Sequence, residues 1–410
     1  MKIGYYCFSA VVVLPKKLKS IYTYLSFMKY LYVLTLSFFC SDLFAQNNFY
    51  GRTTGLLPYL EHGLGDDRLG GAKMTYLDTN ILIKVIDSVN EDYKVQLSTH
   101  HIAYLPKQNF KWDSSIKLKV SYLSTSWRVY GDDKYDYLTL TLPERLPYRS
   151  MQEICPSKII VDVFGLVNNT NWITQLKTAR EIKNVWQEQV ENDVFRIHIE
   201  LIHQQHWGYF IYYSNDVLHI RIKRQPASLK IKNMQIAVDA GHGGTNTGAI
   251  GVNSKVQEKD YTLKMAKALE RYLTRKKAKV FMTRNSDTDL SMVDRTLMLR
   301  EQDADILISI HLNSAGNQNI KGVSTYYRYI GFRPLTQYIL DRMLELKLNN
   351  FGNIGAFNFA LSGPTEYPNC LVEVAFLSNA EDEQRILDEG FHKEVAKQIY
   401  KGIKDWLKSL

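Results

Sequence analysis

Four polar side chains in the C-terminal part of the sequence stand where strands end or helices begin. His242 follows an apolar segment within the letters AGHGG, and His311 closes the segment DILISIH. Glu258 begins an amphipathic segment, and Glu373 interrupts the otherwise apolar segment CLVEVAFL. Two imidazoles and one carboxylate are a frequent ligand set for catalytic Zn²⁺, and a further carboxylate can transfer protons beside the metal. These residue types therefore indicate a metal site suited to hydrolysing an amide bond.

Spacing alone leaves a structural role open for three of these residues. The two histidines and Glu258 are separated by 16 and 53 residues, which is no local motif, and the pattern HExxH is absent. A lone histidine is often structural, and an acid at a helix start is favoured by the helix dipole. Glu373 differs, because a carboxylate inside an apolar strand is costly to bury unless it is paired or binds a metal.

The segments around these residues alternate between strand and helix patterns. After Met234, apolar segments alternate with amphipathic helices predicted near residues 259–274, 294–302, 335–346 and 391–407. Such alternation predicts a sheet with helices on both faces, and ligands of such folds gather at the carboxyl ends of strands. We therefore expect residues 234–410 to form one α/β domain that carries the site.

Two β-rich segments precede that domain. Residues 50–112 combine Gly-rich turns with short runs such as ILIKVI and YKVQL. Residues 115–225 alternate apolar and polar side chains in a way that is typical of a sandwich. The predicted fold class is therefore multidomain, with two small all-β domains followed by a C-terminal α/β domain.

The C-terminal segment resembles a known family at several separate places. The segments IAVDAGHGGTNTGAIG, MVDRTLMLREQDADILISIHLNSA and CLVEVAFLSNAEDEQ are similar to the zinc-dependent N-acetylmuramoyl-L-alanine amidases of the amidase-3 type. The resemblance implies that His242, Glu258 and His311 bind Zn²⁺ and that Glu373 is the catalytic glutamate. It implies hydrolysis of the amide between the lactyl group of N-acetylmuramic acid and L-Ala of the stem peptide, with peptidoglycan as the partner.

Other residues of this segment receive supporting roles. Asn313, just beyond His311, is a candidate for orienting the substrate or the loop that carries this histidine. The alternative is that it is an ordinary turn residue. Asp239 and Arg295 match family positions and are interpreted as structural supports of the site. Leu312 stands where the family commonly has a small residue, a departure that changes the pocket shape and removes no ligand.

The interval between His311 and Glu373 bears on access to the site. Some members of the family carry a long inserted helix that blocks the zinc, but the 61 residues of this interval are used up by one strand, one helix and loops. We therefore expect no such insertion. The Gly-rich loop 352–367 is either a substrate-binding rim or a plain connection.

The two β-rich segments also resemble domains of cell-wall enzymes. Residues 50–112, with GLLPYLEHGLGDDRLGGAKM, are similar to the SH3-like domains that precede bacterial cell-wall hydrolases; a generic β-barrel is the alternative. Residues 115–225, with YLTLTLPERLPYRSMQ and SKIIVDVFG, are similar to the AMIN-type envelope-targeting domain, which binds peptidoglycan in its family.

Composition excludes several classes of protein. Of 410 residues, 45% are hydrophobic and 23% are charged, which excludes a disordered, collagen-like or polytopic membrane chain. The net charge is +9, but residues 1–45 hold five Lys and one Asp. The rest of the chain has no basic stripe suited to phosphates, so we expect no nucleic-acid partner. A regulatory envelope protein is a further candidate partner, whose identity the residues do not give.

Residues 1–45 have the pattern of a leader. From Met28, one lysine precedes an apolar run from Tyr30 to Cys40, and Ala45 offers a small residue for cleavage. The run is too short for a transmembrane helix of ~20 residues and fits a secretory signal peptide. We therefore predict a start at Met28 and a periplasmic or secreted, envelope-associated protein, with an uncleaved anchor as the alternative.

The cysteines indicate neither a disulfide scaffold nor a metal cluster. Cys155 and Cys370, which follow the leader, are far apart in the chain. Both are expected to be small buried hydrophobic residues.

Two alternative functions remain beside the amidase. One is a non-catalytic peptidoglycan-binding protein that keeps a hydrolase fold. The other is a zinc carboxypeptidase, although the His and Glu three residues apart that such enzymes use are absent around His242.

Overall fold

The computed structural model describes residues 49–65, 69–116, 119 and 121–410. The predicted leader, with its signal peptide and its start at Met28, lies outside the described residues. Residues Phe49–Leu410 form one compact unit. Within the described part of the chain, every helix is too short or too polar to cross a bilayer.

The first β-rich segment forms one antiparallel sheet of seven strands in the order β3-β2-β6-β5-β4-β1-β7. Its strands are β1 (Phe49–Thr53), β2 (Tyr59–Glu61), β3 (Lys73–Tyr76), β4 (Leu82–Val89), β5 (Asp92–Gln96), β6 (Ile102–Pro106) and β7 (Phe110–Trp112). The predicted strand runs ILIKVI and YKVQL correspond to β4 and β5.

The second β-rich segment forms three sheets: β14-β9-β10-β18-β17, β11-β12-β16-β15 and the pair β13-β8. Its strands are β8 (Tyr122–Leu123), β9 (Trp127–Gly131), β10 (Tyr135–Thr141), β11 (Tyr148–Ile154), β12 (Ser157–Phe164), β13 (Leu166–Val167), β14 (Ile173–Gln175), β15 (Ile182–Glu191), β16 (Val194–Leu201), β17 (Tyr209–Ser214) and β18 (Val217–Lys223).

A single hydrophobic cluster fills the interior of both β-rich segments. Ile83 of the first sheet belongs to it, together with Val161 and Ile220 from the two larger sheets of the second segment. In β10, buried Leu138 and Leu140 alternate with more exposed side chains, so the strand turns one face to this core. The mostly-sheet character of the N-terminal part is thus confirmed, while the boundaries 50–112 and 115–225 stay predictions.

The C-terminal segment contains a mixed sheet of six strands in the order β20-β19-β21-β24-β22-β23. The strands are β19 (Gln235–Ala240), β20 (Lys279–Met282), β21 (Ile306–Asn313), β22 (Val323–Tyr326), β23 (Asn350–Ile354) and β24 (Asn369–Phe376). β20, β19, β21 and β24 are parallel, whereas β22 and β23 run in the opposite direction.

Helices cover both faces of this sheet, as predicted. They are α1 (Glu258–Arg275), α2 (Met292–Gln302), α3 (Arg333–Leu344), α4 (Ala380–Leu387) and α5 (Glu389–Ser409). On one face, Leu269 of α1 and Ile399 of α5 pack in a cluster with Ile236. On the other face, Leu299 of α2 packs against Ala237 and Leu307. Successive residues of one strand therefore meet different helices, as the alternation of side chains requires.

Several elements differ from the sequence-based expectation. β23 and α4 were not predicted, since β23 is a half-exposed edge strand with few apolar residues and α4 is only 8 residues long. The helix expected near 335–346 begins earlier, at Arg333, and ends at Leu344. Cys370 is buried, but Cys155 is exposed, so its predicted burial is wrong.

Candidate active site

Three neighbouring parallel strands bring the predicted residues to one edge of the sheet. β19 ends at Ala240, two residues before His242, and His311 lies near the end of β21. Glu373 of β24 is paired in register with His311. Glu258 is the first residue of α1. The carboxyl ends of the strands and the start of a helix thus supply the four side chains that sequence analysis selected.

His242, Glu258 and His311 converge on one point. Glu258 Oε1 lies 3.0 Å from His242 Nε2 and 3.1 Å from His311 Nδ1. One potential ligand atom from each residue lies within 4.8 Å of the others. The two imidazole rings meet edge to face, with centroids 4.9 Å apart. Residues that are distant in sequence are therefore close enough to bind one ion.

The Glu258 carboxylate is buried and ionised. Burial raises the pKa of this group, but hydrogen bonds to His242 and His311 outweigh burial and keep the pKa well below its ordinary value. The backbone N–H of Leu312 donates to Oε1 at 2.9 Å, and that of Ala249 donates to Oε2 at 2.8 Å. The carboxylate is therefore negatively charged and fixed in orientation.

Asn246 fixes the orientation of the His242 ring. Its Oδ1 accepts from the backbone N–H of Gly248 at 3.2 Å and lies 2.9 Å from His242 Nδ1. Because this oxygen accepts, His242 Nδ1 is a hydrogen-bond donor, and Nε2 is the ring nitrogen directed at Glu258. His242 also has a backbone φ of 61°, a left-handed conformation that non-glycine residues seldom adopt.

Two glycines leave the space that the site requires. A Cβ at Gly241 would overlap the His311 ring, and a Cβ at Gly248 would overlap Glu258 and His242. Gly248 has a φ of 67°, which a side chain would also strain. The flanking glycines of the segment AGHGGTNTG thus allow the backbone to pass directly beside the side chains of the site.

A buried ion pair supports the backbone that carries His242. Arg295 Nη1 lies 2.6 Å from Asp239 Oδ1, and both side chains are 1% exposed. Asp239 also accepts from Ser309 Oγ at 2.6 Å. Arg295 Nη2 donates to the backbone oxygen of His242 at 2.6 Å. Asp239 and Arg295 therefore connect β19, β21 and α2 to the strained residue of the site.

Arg284 is a second support, which sequence analysis missed. Its guanidinium donates to the backbone oxygens of Ala240, Gly241 and Lys259 at 2.9, 2.9 and 2.8 Å. It joins the end of β19 to the first turn of α1. Asn246 was missed as well, although its place four residues after His242 in a Gly-rich turn is a usable signal.

The site opens into a cleft of about 530 Å³. Glu373 and Asn313 line this cleft together with the three clustered residues. The backbone oxygen of Asn313 accepts from Leu377 N at 2.9 Å, and its Oδ1 accepts from Ser314 N at 2.8 Å. The apolar lining includes Leu69, Met292, Leu312, Phe357, Phe359 and Leu371.

The loop 352–367 borders this cleft. β23 takes up its first residues, and Phe357 and Phe359 reach the cleft. The Phe359 ring meets the His311 ring edge to face, with centroids 5.3 Å apart. The loop 352–367 therefore lies at the rim of the cleft, while its contact with substrate stays a prediction.

The donor set suits a divalent metal. Ligand bonds of about 2 Å place the ligand atoms of a tetrahedral Zn²⁺ roughly 3.3 Å apart, close to the spacings around Glu258. His311 Nδ1 is the nitrogen of that ring that faces Glu258, while buried His311 Nε2 has no hydrogen-bond partner among the described residues. Asn246 binds His242 Nδ1 and the backbone N–H of Ala249 binds Glu258 Oε2, the atoms on the far side of each group from the cluster, as partners of metal-binding groups commonly do.

Comparison with known proteins gives consistent matches for this segment. Residues 236–405 match the family model described as N-acetylmuramoyl-L-alanine amidase. A germination-specific N-acetylmuramoyl-L-alanine amidase of Bacillus subtilis is 33% identical over 198 residues, covering 44% of this chain and 82% of that protein. A probable cell wall amidase, LytH, of Staphylococcus epidermidis is 32% identical over 194 residues, covering 47% of this chain and 65% of that protein.

A solved structure also matches. It is the catalytic domain of CwlV, an N-acetylmuramoyl-L-alanine amidase from Bacillus (Paenibacillus) polymyxa, at 33% identity and a TM-score of 0.41. The match covers 43% of this chain and 98% of that chain.

Proposed function

Because the chain belongs to the N-acetylmuramoyl-L-alanine amidase family, we propose that it is a zinc-dependent peptidoglycan hydrolase. It cleaves the amide between the lactyl group of N-acetylmuramic acid and L-Ala of the stem peptide. The observation that carries the proposal is the convergence of His242, Glu258 and His311 within 4.8 Å, in a cleft that Glu373 also lines.

His242, Glu258 and His311 would hold the zinc. When bound, the metal supplies a Lewis acid that polarises the scissile carbonyl and acidifies a water. Glu258 contributes its negative charge, and Asn246 keeps His242 Nε2 directed at the shared point. Arg295 and Arg284 hold the backbone that carries these ligands.

Glu373 would act as the proton carrier. It stands in the strand beside His311 and lines the same cleft, outside the cluster of potential ligands. Its carboxylate takes a proton from the attacking water and delivers it to the amine of L-Ala as the amide breaks. Asn313, at the rim, would orient the substrate.

The N-terminal part would place this activity in the cell envelope. We propose that the leader is a signal peptide, that residues 50–112 are an SH3-like domain, and that residues 115–225 are an AMIN-like domain that binds peptidoglycan. The predicted periplasmic or secreted location is supported by the relative named as a cell wall amidase.

Digestion of purified muropeptides tests the proposal. We expect the protein to release peptides with a free N-terminal L-Ala, detected by mass spectrometry, and a chelator to abolish the release. Release of a C-terminal residue instead would favour the carboxypeptidase. A folded, zinc-loaded protein that binds muropeptides without cleaving them would favour the binding protein.

Glu373→Gln separates proton transfer from metal binding. We expect the variant to keep its zinc and to lose turnover by at least about a hundredfold, because only the proton carrier is removed. Metal content and kcat are measured on the same preparation. Near-normal kcat would show that another group is the base.

A further inference from the structure

The first sheet touches the rim of the catalytic cleft. Asn358, in the 356–363 part of the loop 352–367, meets residues 69–72 of the connection between β2 and β3. Asn358 Nδ2 donates to the backbone oxygen of Gly71 at 2.8 Å and to that of Leu69 at 3.4 Å. Asn358 Oδ1 accepts from the backbone N–H of Lys73 at 3.0 Å. One side chain thus binds two backbone groups of this connection and one of Lys73, the first residue of β3.

Two further side chains strengthen the contact. Arg328 donates to Asn358 Oδ1 at 2.9 Å and also donates to the backbone oxygen of Lys73. Tyr76 of β3 donates its hydroxyl to the backbone oxygen of Ala360 at 3.2 Å. A Cβ at Gly363 would lie 2.8 Å from the Tyr76 ring. Residues 69–76 are therefore held against the loop 352–367 by specific hydrogen bonds and by close packing.

This contact brings Leu69 to the catalytic cleft. Leu69 lines the cleft that also contains His242, His311 and Glu373, although it comes from the other end of the chain. Phe357 and Phe359, on either side of Asn358, line the same cleft. The hydrogen bonds of Asn358 therefore hold a leucine of the β2–β3 connection in the cleft that two aromatic rings of the catalytic domain also line.

We infer that Leu69 is part of the substrate-binding wall and that Asn358 is the positioning residue that holds it there. The inference rests on the proposed function. The amide to be cleaved lies between a lactyl and an alanyl carbon, each bearing a methyl group. An apolar wall near the metal site matches this uncharged, methyl-bearing part of the muramoyl-peptide. The N-terminal sheet thus completes the specificity of the catalytic cleft.

Leu69→Ala tests the wall directly. On a soluble muramoyl-peptide, we expect KM to rise about tenfold, because lost apolar contacts weaken binding, while kcat and zinc content stay near wild type. Leu69→Met keeps an apolar side chain in the wall, and its KM is expected to stay near that of wild type. Leu64→Ala is the matched control, since Leu64 belongs to the same connection, is 38% exposed, and lines a different cavity.

A double-mutant cycle tests the positioning role. Asn358→Ala should raise KM as Leu69→Ala does, and adding Leu69→Ala to it should change KM little further, because the leucine is already displaced. The Kd for the same muramoyl-peptide, measured by calorimetry in the Glu373→Gln background, gives a readout without turnover. Additive effects would show that Asn358 does not act through Leu69.

The outcomes distinguish this inference from the proposed function. A wild-type enzyme that releases L-Ala-initiated peptides, with the same KM in Leu69→Ala, overturns the inference alone. A higher kcat/KM in Leu69→Ala also overturns it, since the leucine would then obstruct the cleft. A folded, zinc-loaded wild-type protein that releases no such peptide overturns the proposed function.

Discussion

At the scale of single residues, the site consists of a few polar atoms that surround the carboxylate of Glu258. Glu258 Oε1 faces His242 Nε2, His311 Nδ1 and the backbone N–H of Leu312 within 3.1 Å. A buried carboxylate is costly unless it is paired with such groups or with a bound cation. These residue types form a possible metal site, and Asn246 holds His242 with Nε2 directed at Glu258.

Removal of one histidine should abolish tight metal binding. We expect His311→Ala to purify with far less zinc than wild type, because one of three ligands is lost. Elemental analysis of the purified variant, with circular dichroism as the folding control, measures this effect. Unchanged zinc content in a folded variant would contradict the assignment of His311 as a ligand.

Asn246 should affect metal affinity through His242. Asn246→Ala removes the acceptor at Nδ1, so zinc affinity is expected to fall by about 10- to 100-fold. Competition with a chelator of known affinity measures the change. Asn246→Asp keeps an acceptor and should retain most of the affinity, and exposed Asn169→Ala serves as a distant control. Equal affinity in Asn246→Ala and wild type would exclude the orienting role.

At the scale of elements, β19, β21 and α2 are joined beneath the site by buried polar groups. The Asp239–Arg295 pair is almost fully enclosed. Burial raises the pKa of Asp239, but the Arg295 charge and the Ser309 hydroxyl outweigh it and hold the pKa below its ordinary value. This enclosed pair connects the strands to the backbone of His242. Removal of either partner would leave the other as an unpaired buried charge.

Removal of Asp239 should therefore destabilise the fold. We expect Asp239→Ala to lower the free energy of unfolding by about 3–5 kcal/mol, because Arg295 would be left as an unpaired buried charge. Lys183→Ala is the matched control at the exposed Lys183–Glu200 pair, where the loss should be at most about 1 kcal/mol. Chemical denaturation measures both. Equal losses in the two variants would refute the argument.

At the scale of the whole molecule, polar contacts join both β-rich segments to the catalytic domain. Asn358 joins the first segment. Lys223 of β18 joins the second, with its Nζ 2.9 Å from Asp303 Oδ1 and 2.7 Å from the backbone oxygen of Ala304. Lys134 and Tyr135 also contact the Asp303 carboxylate. These contacts fix the sheets around the end of α2.

The Asp303 contact should make stability depend on acid pH. Burial raises the pKa of Asp303, but Lys223, Lys134 and Tyr135 outweigh burial and lower the pKa to about 2. A lowered folded-state pKa gives stability that is complete above the unfolded value of about 4 and is lost as pH falls toward 2.

Comparison with Asp303→Asn isolates this contribution. Wild type should be more stable than the variant at pH 6, and the difference should shrink between about pH 4 and pH 2. Denaturant titrations over this pH range measure the difference. A difference that is constant with pH would show that the charge of Asp303 does not stabilise the fold.

Much of the catalytic domain was accessible from the sequence because local patterns and global fold agree there. The helices near 259–274, 294–302 and 391–407 have apolar faces at helical spacing, and the structure has α1, α2 and α5 at these places. β23 escaped prediction because an edge strand buries few side chains. Cys155 is exposed because it occupies the turn between β11 and β12, where residue type says little about burial.

Residue types made His242, Glu258, His311 and Glu373 candidates, but spacing left a structural role open for the first three, and it was the resemblance to the amidase family that implied their roles. Only the tertiary structure brings the first three to one point, identifies Asn246 and Arg284 as their supports, and carries Leu69 into the cleft. Contacts between residues that are distant in sequence, such as Leu69 and His311, depend on how sheets and helices pack, and local periodicity does not specify that packing.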